Sequence, residues 1–298
     1  MLGADNLQYF LEVARTGRLN EAARVLEVDQ TTVGRRIAAL ERATGERLFD
    51  RTANGWRLTE AGERLLPKAQ AVESAVVAAY DIQDTAAQAL TGSVRIVTTD
   101  GFGPFVVAPH LVELAEAQPL LGVELVTATS RNAVAERHFD VAVILERPTS
   151  RAVRSEPLAS FQMRLYASAE YLAKYPPIDT LADLGRHTVI WFVNVLLDVE
   201  PLRIFDALPD AEQSHAQISS VTGHWLAARS GLGIAVLPGY IGEDDPALVQ
   251  VLPEAFDLEL QYWLVIPREL EKLERVRTVR DFLQRTVHNH AHLSAALR

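Results

Sequence analysis

A chain of 298 residues, 48% hydrophobic and 23% charged, is long enough for two or three compact units. It has no cysteine, which excludes disulfides, a thiolate nucleophile, iron–sulfur ligation and cysteine-based oxidant sensing. A formal net charge of -10 excludes nonspecific attraction of nucleic acid to the surface as a whole, so any nucleic-acid contact must come from a local basic region.

Met1 to Gly17 reads as an amphipathic helix, with Leu7, Phe10, Leu11 and Ala14 on one face and an Asp5…Gln8 capping pair. It lacks the basic-then-apolar order of a signal peptide. Leu19 to Glu41 then predicts two short helices joined by a tight turn. Asn20 is the expected N-cap of the first, whose Ala22, Ala23 and Leu26 form a small, close-packing face. Asp29 is the expected cap of the second. There Val33, Ile37 and Leu40 fall at i, i+4 and i+7, which turns Thr31, Thr32, Arg35 and Arg36 away from the core. Hydroxyls at a helix N-terminus with arginines one turn later suit a DNA major groove, where side chains meet base edges and phosphates. After Leu48 and Phe49, Asn54-Gly55 between short strand-like runs predicts a hairpin, or wing, carrying Arg51 and Arg57. Between Gln30 and Leu58 six arginines face three acidic residues, whereas residues 1–60 balance at nine of each. The positive excess is therefore confined to the second helix and the wing, and the predicted DNA-contacting set is Gln30, Thr31, Thr32, Arg35, Arg36, Arg51 and Arg57.

From residue 63 to residue 91 the chain predicts one long Ala-, Val- and Leu-rich helix. Leu65, Ala69, Val72, Val76, Ala79, Gln83, Ala86 and Leu90 follow alternating steps of four and three, the seam of a coiled coil, and predict a dimer. The alternative is a single helix buried against its own domain. Pro67 predicts a bend or break near its start, and Thr91-Gly92-Ser93 a hinge at its end. Beyond the hinge, Val94 to Thr98, Val123 to Val126 and Val141 to Leu145 read as buried parallel strands, with crossover helices at Val106 to Ala117 and Arg131 to Arg137. Met163 to Ala167, Thr188 to Phe192, Ile234 to Leu237 and Gln261 to Ile266 repeat the strand pattern, and a helix around Arg275 to Val287 follows. This is an α/β pattern. No run is long and apolar enough to span a membrane, and the expected location is the cytoplasm.

The string Ala22-Ala23…Leu26…Gln30…Val33…Arg36-Ile37…Leu40-Glu41…Gly45…Leu48-Phe49-Asp50-Arg51…Leu58-Thr59-Glu60-Ala61-Gly62 closely resembles the winged helix-turn-helix of LysR-type transcriptional regulators. Two positions depart from it: Asp29 at the turn and Gly34 inside the second helix stand where the family usually has serine. Ala227 to Pro238 is similar to the family's recurrent helix, tight glycine turn, strand and proline. The resemblance implies a multidomain chain, with an all-α-rich winged helix-turn-helix at 1–62, a coiled-coil linker helix at 63–91 and a two-lobed α/β effector-binding domain at 92–298. Lobe I would hold about 92–162 and 266–298 and lobe II about 163–265, with crossings near Ser160 to Ser168 and Gln261 to Pro267. It further implies double-stranded DNA bound at an interrupted palindrome, self-assembly into a dimer or tetramer, and a small organic effector that shifts inter-lobe geometry.

Ligands of such folds bind at strand C-terminal ends and helix N-termini, between the lobes. The candidates are Thr99 and Asp100 after the first sensor strand, Thr129, Ser130 and Arg131 after the second, and Trp191 and Asn194 with Ser220 and Thr222 from the second lobe. Thr99, Ser130 and Ser220 to Thr222 match the positions where the family usually holds effectors. Each hydroxyl is equally readable as an ordinary helix N-cap and Trp191 as core. Asp100 and Arg131 each need a partner, solvent or a ligand group of opposite sign, which predicts an effector bearing a carboxylate or an amine. There is no Gly-x-Ser-x-Gly elbow, phosphate-binding loop or His-Glu-x-x-His motif, so neither catalysis nor a cofactor is expected. His288 and His292, four apart on a predicted helix, have no nearby carboxylate or cysteine in sequence to complete a metal site. The competing class is a small-molecule-binding or catalytic α/β protein whose N-terminal helices only mediate assembly.

Overall fold

The N-terminal helices form because each carries one apolar stripe, and the stripes meet. Helix α1 (Ala4–Thr16) contributes Leu7, Phe10, Leu11 and Val13, α2 (Leu19–Val25) contributes Ala22 and Ala23, and α3 (Gln30–Thr44) contributes Val33, Ile37 and Leu40. Leu48, Phe49, Leu66 and Ala69 complete this core. These positions come from a computed structural model that describes residues 4–52, 55–80, 90–127, 139–193 and 216–295. Two compact units divide the chain, Met1–Gln88 and Ala89–Arg298.

Asp29 caps α3 by accepting the Thr32 N–H at 2.9 Å, as its position in sequence predicts. Asn20 does not cap α2. Gly17, at φ 67°, turns the chain so that the Arg18 carbonyl accepts the first helical bond and Asn20 falls inside the first turn. Strands β1 (Phe49–Thr52) and β2 (Gly55–Leu58) pair antiparallel from Phe49↔Leu58 to Thr52↔Gly55; the expected turn residues 53 and 54 lie outside the described residues. The base of this wing is tied down where the Trp56 N–H meets the Gly17 carbonyl at 2.8 Å and Trp56 packs edge-on against Phe49.

Helix α4 (Glu60–Tyr80) is not broken at Pro67, which corrects that half of the expected bend or break; Leu66 and Ala69 on either side are buried in the core. The predicted seam also divides. Leu65, Ala69 and Val72 pack into the unit's own core, while Val76 is 44% exposed. At the other end, the Leu90 N–H bonds Gln118 Oε1 at 3.1 Å and belongs to the second unit. Gln83 and Ala86 lie outside the described residues.

Gly34 provides a direct test of the α3 assignment. A Cβ there would meet nothing closer than Leu19 Cδ1 at 3.9 Å. Gly34→Ala should therefore stabilise the N-terminal unit by about 1 kcal/mol, the difference in helix propensity. Chemical denaturation checks this, and a loss of stability would mean the backbone at 34 is not regular helix.

In the second unit β3 (Gly92–Thr98) runs parallel between β4 (Leu121–Thr127) and β5 (Val141–Ile144). The expected crossover helix over Val106 to Ala117 is instead a π turn (Gly103–Val107), a 3-10 turn (Ala108–His110) and a short α5 (Leu111–Ala117). Pro109 cannot donate its backbone N–H and so interrupts the regular ladder there. The predicted helix over Arg131 to Arg137 lies outside the described residues. Two long strands, β6 (Val153–Ser168) and β11 (Leu258–Pro267), pair antiparallel with a bulge at Tyr262/Trp263 and tie the two halves of the sheet together. At Trp263 to Val265 β11 joins β5, and at Met163 to Tyr166 β6 joins β9 (Ile234–Pro238).

The second half carries α6 (Ala169–Lys174), β7 (Val189–Phe192), β8 (Ala216–Ile218), α7 (Val221–Arg229), α8 (Gly239–Gly242) and β10 (Leu248–Val251). Helix α9 (Glu274–Asn289) packs back on β3 and β5, and β12 (Ser294–Ala295) pairs with β6. Strand order is β4-β3-β5-β11-β6-β9-β7-β8, with β10 and β12 also on β6. After α7, Gly231 adopts φ 77°, and a Cβ on Gly233 would stand 2.1 Å from the Thr188 carbonyl oxygen. Both glycines serve the backbone turn into buried β9 and need no ligand to explain them. No described helix is long and apolar enough to cross a membrane.

Candidate functional site

Two surfaces carry the side chains singled out above, one on each unit. On α3, burial of Val33, Ile37 and Leu40 turns Gln30, Thr31 and Arg35 to the exposed side, with Thr32 half-buried. The Thr31 and Thr32 hydroxyls and the Thr32 N–H all donate to Asp29, and these bonds hold its carboxyl down at about 2. Arg36 is half-buried and turned toward α1: its guanidinium lies 3.4 Å from Asn6 Oδ1 and 5.5 Å from the centre of the Tyr9 ring. Arg51 stacks over Trp56 at 4.6 Å on the wing, and Arg57 is exposed on β2. Thus Arg35, Arg51 and Arg57 lie on the outside of this unit, while Arg36 also braces α1 against α3.

The hydrogen bonds to Asp29 tie the stability of this unit to pH. The carboxylate is favoured in the folded state, so its contribution to stability is complete above the ordinary carboxyl value of 3.8 and is lost as pH falls toward about 2. Asp29→Asn keeps an acceptor for the Thr32 N–H but cannot titrate. The stability difference between parent and variant should be flat above about pH 4 and shrink to its minimum near pH 2, followed by thermal melts across that range. A difference independent of pH would remove the carboxylate from the cap.

In the second unit, Thr99 and Asp100 leave the end of β3. The Thr99 hydroxyl accepts the Phe102 N–H at 3.3 Å and donates to the Tyr262 hydroxyl at 3.3 Å, which in turn lies 2.7 Å from the Tyr240 hydroxyl. Burial pushes the Tyr262 phenol up to about 12 and the Tyr240 phenol well above its usual range, so both act as neutral hydrogen-bonding groups. Tyr262 is clamped between Phe102 and the parallel ring of Phe161, with centroids at 4.8 and 4.5 Å. Asp100 reaches the opposite half of the sheet, where its carboxylate accepts the Thr222 N–H at 3.0 Å and faces the Thr222 hydroxyl at 3.4 Å. Ser220 caps α7 through the Gly223 N–H at 3.0 Å. His224, one turn on, is fully buried with Nε2 3.1 Å from the Trp191 carbonyl and 3.0 Å from that of Ile218. Two carbonyl acceptors place the ring proton on Nε2, and burial depresses the His224 value, which keeps the ring neutral.

Of the predicted effector-binding residues, Asp100, Ser220 and Thr222 therefore come together at the N-terminus of α7, while the hydroxyl of Thr99 is turned to Tyr262 on β11. Trp191 is buried core. Thr129, Ser130, Arg131 and Asn194 lie outside the described residues. The pairing of Tyr240 with Tyr262 has no local signal in sequence; the one hint is a phenol within the apolar β11 run. The predicted His288 and His292 pair does not share a helix, since α9 ends at Asn289. His292 instead lies 2.7 Å from Glu243 and 3.2 Å from Asp244, carboxylates about fifty residues away in sequence. Among the described residues no group of three or more His, Asp or Glu is arranged to hold a metal ion.

Residues 4–63 match the family model of the bacterial regulatory helix-turn-helix protein, lysR family, and residues 87–287 match that of the LysR substrate binding domain. The chain belongs to the LysR family of transcriptional regulators. It is 29% identical over 295 residues to the HTH-type transcriptional regulator DmlR of Escherichia coli K12, covering 96% of this chain and 95% of that one. It is 27% identical over 240 residues to the Mau operon transcriptional activator of Paracoccus denitrificans, covering 80% and 81%. The fold matches that of a full-length OxyR variant from Pseudomonas aeruginosa with a TM-score of 0.73 at 18% identity, over 98% of this chain and 99% of that one. The regulator thus joins a DNA-binding helix-turn-helix to an effector-binding α/β domain, and the surfaces built above fall one in each.

Proposed function

We propose that the regulator reads double-stranded DNA with α3 and the wing, one copy on each half of an interrupted palindrome, and that a small organic effector held between the two halves of the sensor sheet sets its geometry on that DNA. In this reading residues 1–62 bind DNA, 63–91 link and dimerise, and 92–298 sense, with Thr99, Ser220 and Thr222 facing the effector. The observation that carries it is Arg35, exposed on the outer face of a capped helix whose inner face is wholly spent on the core. Copies associate along α4 from Val76 onward, as a dimer or a tetramer, and the protein works in the cytoplasm where its DNA is. Binding an effector alters DNA contact only through a difference in affinity between two arrangements of the sensor.

The test uses the full chain, fluorescence anisotropy and two duplexes, its own upstream DNA and a scrambled sequence, across a salt series. Affinity should fall linearly on logarithmic axes as salt rises, with the upstream duplex bound at least roughly a thousandfold more tightly. Equal affinity for both duplexes at every salt concentration would favour the competing class, an α/β binding protein whose helices only assemble it.

A further inference from the structure

The carboxylate of Asp100 occupies a position that physics reserves for an anion. The first-turn N–H groups of a helix lack intrahelical partners and sit at the positive end of its dipole. In α7, the Gly223 N–H goes to the Ser220 hydroxyl and the Thr222 N–H goes to Asp100. Asp100 comes from the opposite half of the sheet, 122 residues earlier, and makes its second contact with the Thr222 hydroxyl. The chain beside it packs closely against the second half. A Cβ on Gly101 would stand 3.0 Å from the Tyr240 hydroxyl, 3.5 Å from Val221 Cγ1 and 3.7 Å from Ile241 Cδ1, all of the second half. A side chain at 101 would press on the Tyr240 hydroxyl, so glycine there suits the close approach of the Asp100 backbone to the second half.

We propose that Asp100 is a tethered anion: it fills the α7 N-terminus from within the chain, fastens the two halves of the sensor together there, and so denies that position to any carboxylate-bearing effector. A second carboxylate arriving at Thr222 would have to expel Asp100 or lie against a like charge, and either outcome opposes binding. The effector of this regulator is accordingly neutral or cationic where it meets α7. This deepens the reading of the cleft as the effector site, and the fastening itself needs neither effector nor DNA in order to be measured.

The experiment is a chemical rescue on the full chain, with acetate as the probe. Thermal unfolding of the parent, Asp100→Ala and Asp100→Ser is followed in sodium acetate and in sodium chloride at equal ionic strength. Both variants should melt below the parent in chloride. Acetate should then raise their sensor transition saturably by roughly 2–4 °C while leaving the parent unmoved, because only the variants expose the anion position. Asp100→Ser keeps a small polar side chain and serves if the alanine variant does not fold. Acetate that shifts parent and variants alike, or shifts none of them, overturns the proposal. No duplex enters these samples, so failure here is distinct from failure to recognise DNA, which the anisotropy series reads separately.

Discussion

Arg35→Ala should weaken binding to the operator by roughly thirtyfold or more while leaving the melting temperature of the N-terminal unit where it was. An arginine lost from a base edge costs about 1–3 kcal/mol per copy, and a dimer on two half-sites loses it twice. Nothing in the fold depends on this side chain, since the inward face of α3 is Val33, Ile37 and Leu40. Arg36→Ala should behave differently. Its guanidinium braces α1 through Asn6 and the Tyr9 ring, so the variant should lose stability as well as affinity, by about 0.5–1 kcal/mol for a partly exposed cation–π contact. A double alanine variant would confound the two effects; the single variants separate them. Anisotropy with a specific duplex and calorimetry on the same samples supply both readings. An Arg35→Ala protein that binds as tightly as its parent would take α3 out of the groove.

That contrast shows where sequence reasoning reaches and where it stops. Helical periodicity told which residues of α3 turn inward, because Val33, Ile37 and Leu40 share a stripe. It could not tell that Arg36, at the edge of the outward face, meets α1, since that depends on how two helices cross. The strands of the sensor are legible for a different reason: β3, β5 and β9 are short, nearly continuous apolar runs buried on both sides. The helix expected after β3 is irregular up to His110 because Pro109 falls in its first turns, and regular only from Leu111. Thr99, Asp100, Ser220 and Thr222 are singled out by their positions at strand ends and a helix start, and the structure joins Asp100 to Thr222 across the sheet. Tyr240, Tyr262 and the carboxylates beside His292 are not singled out, as each owes its place to pairing between segments distant in sequence. Of the three expected counterparts for Asp100, a partner, solvent or a ligand, the structure supplies a partner, the Thr222 N–H, which lies too far away in sequence to be named in advance.

The linker helix gives the second large effect. Val76→Glu should raise the dimer dissociation constant on the order of a hundredfold or more, since like charges facing each other across an interface cost several kcal/mol. Leu65, Ala69 and Val72 carry the predicted seam only as far as the unit's own core, and Arg15 on α1 holds Glu73 at 2.8 Å just beyond it. Val76 is the next step along that face and the first to emerge, 44% exposed on a helix that continues to Tyr80. A glutamate there suits a solvated helix as well as valine does, so the monomer's own fold should be unaffected. In a dimer it would set two carboxylates against each other at the point where the helices leave their separate cores. Light scattering across a concentration series should show dissociation of the variant at concentrations where the parent stays assembled. Operator affinity should fall with it, because one half-site alone holds a monomer weakly, and Val76→Leu should preserve both properties. If the glutamate variant scatters like its parent at every concentration, α4 packs only within its own chain, and assembly must run through the effector-binding domain.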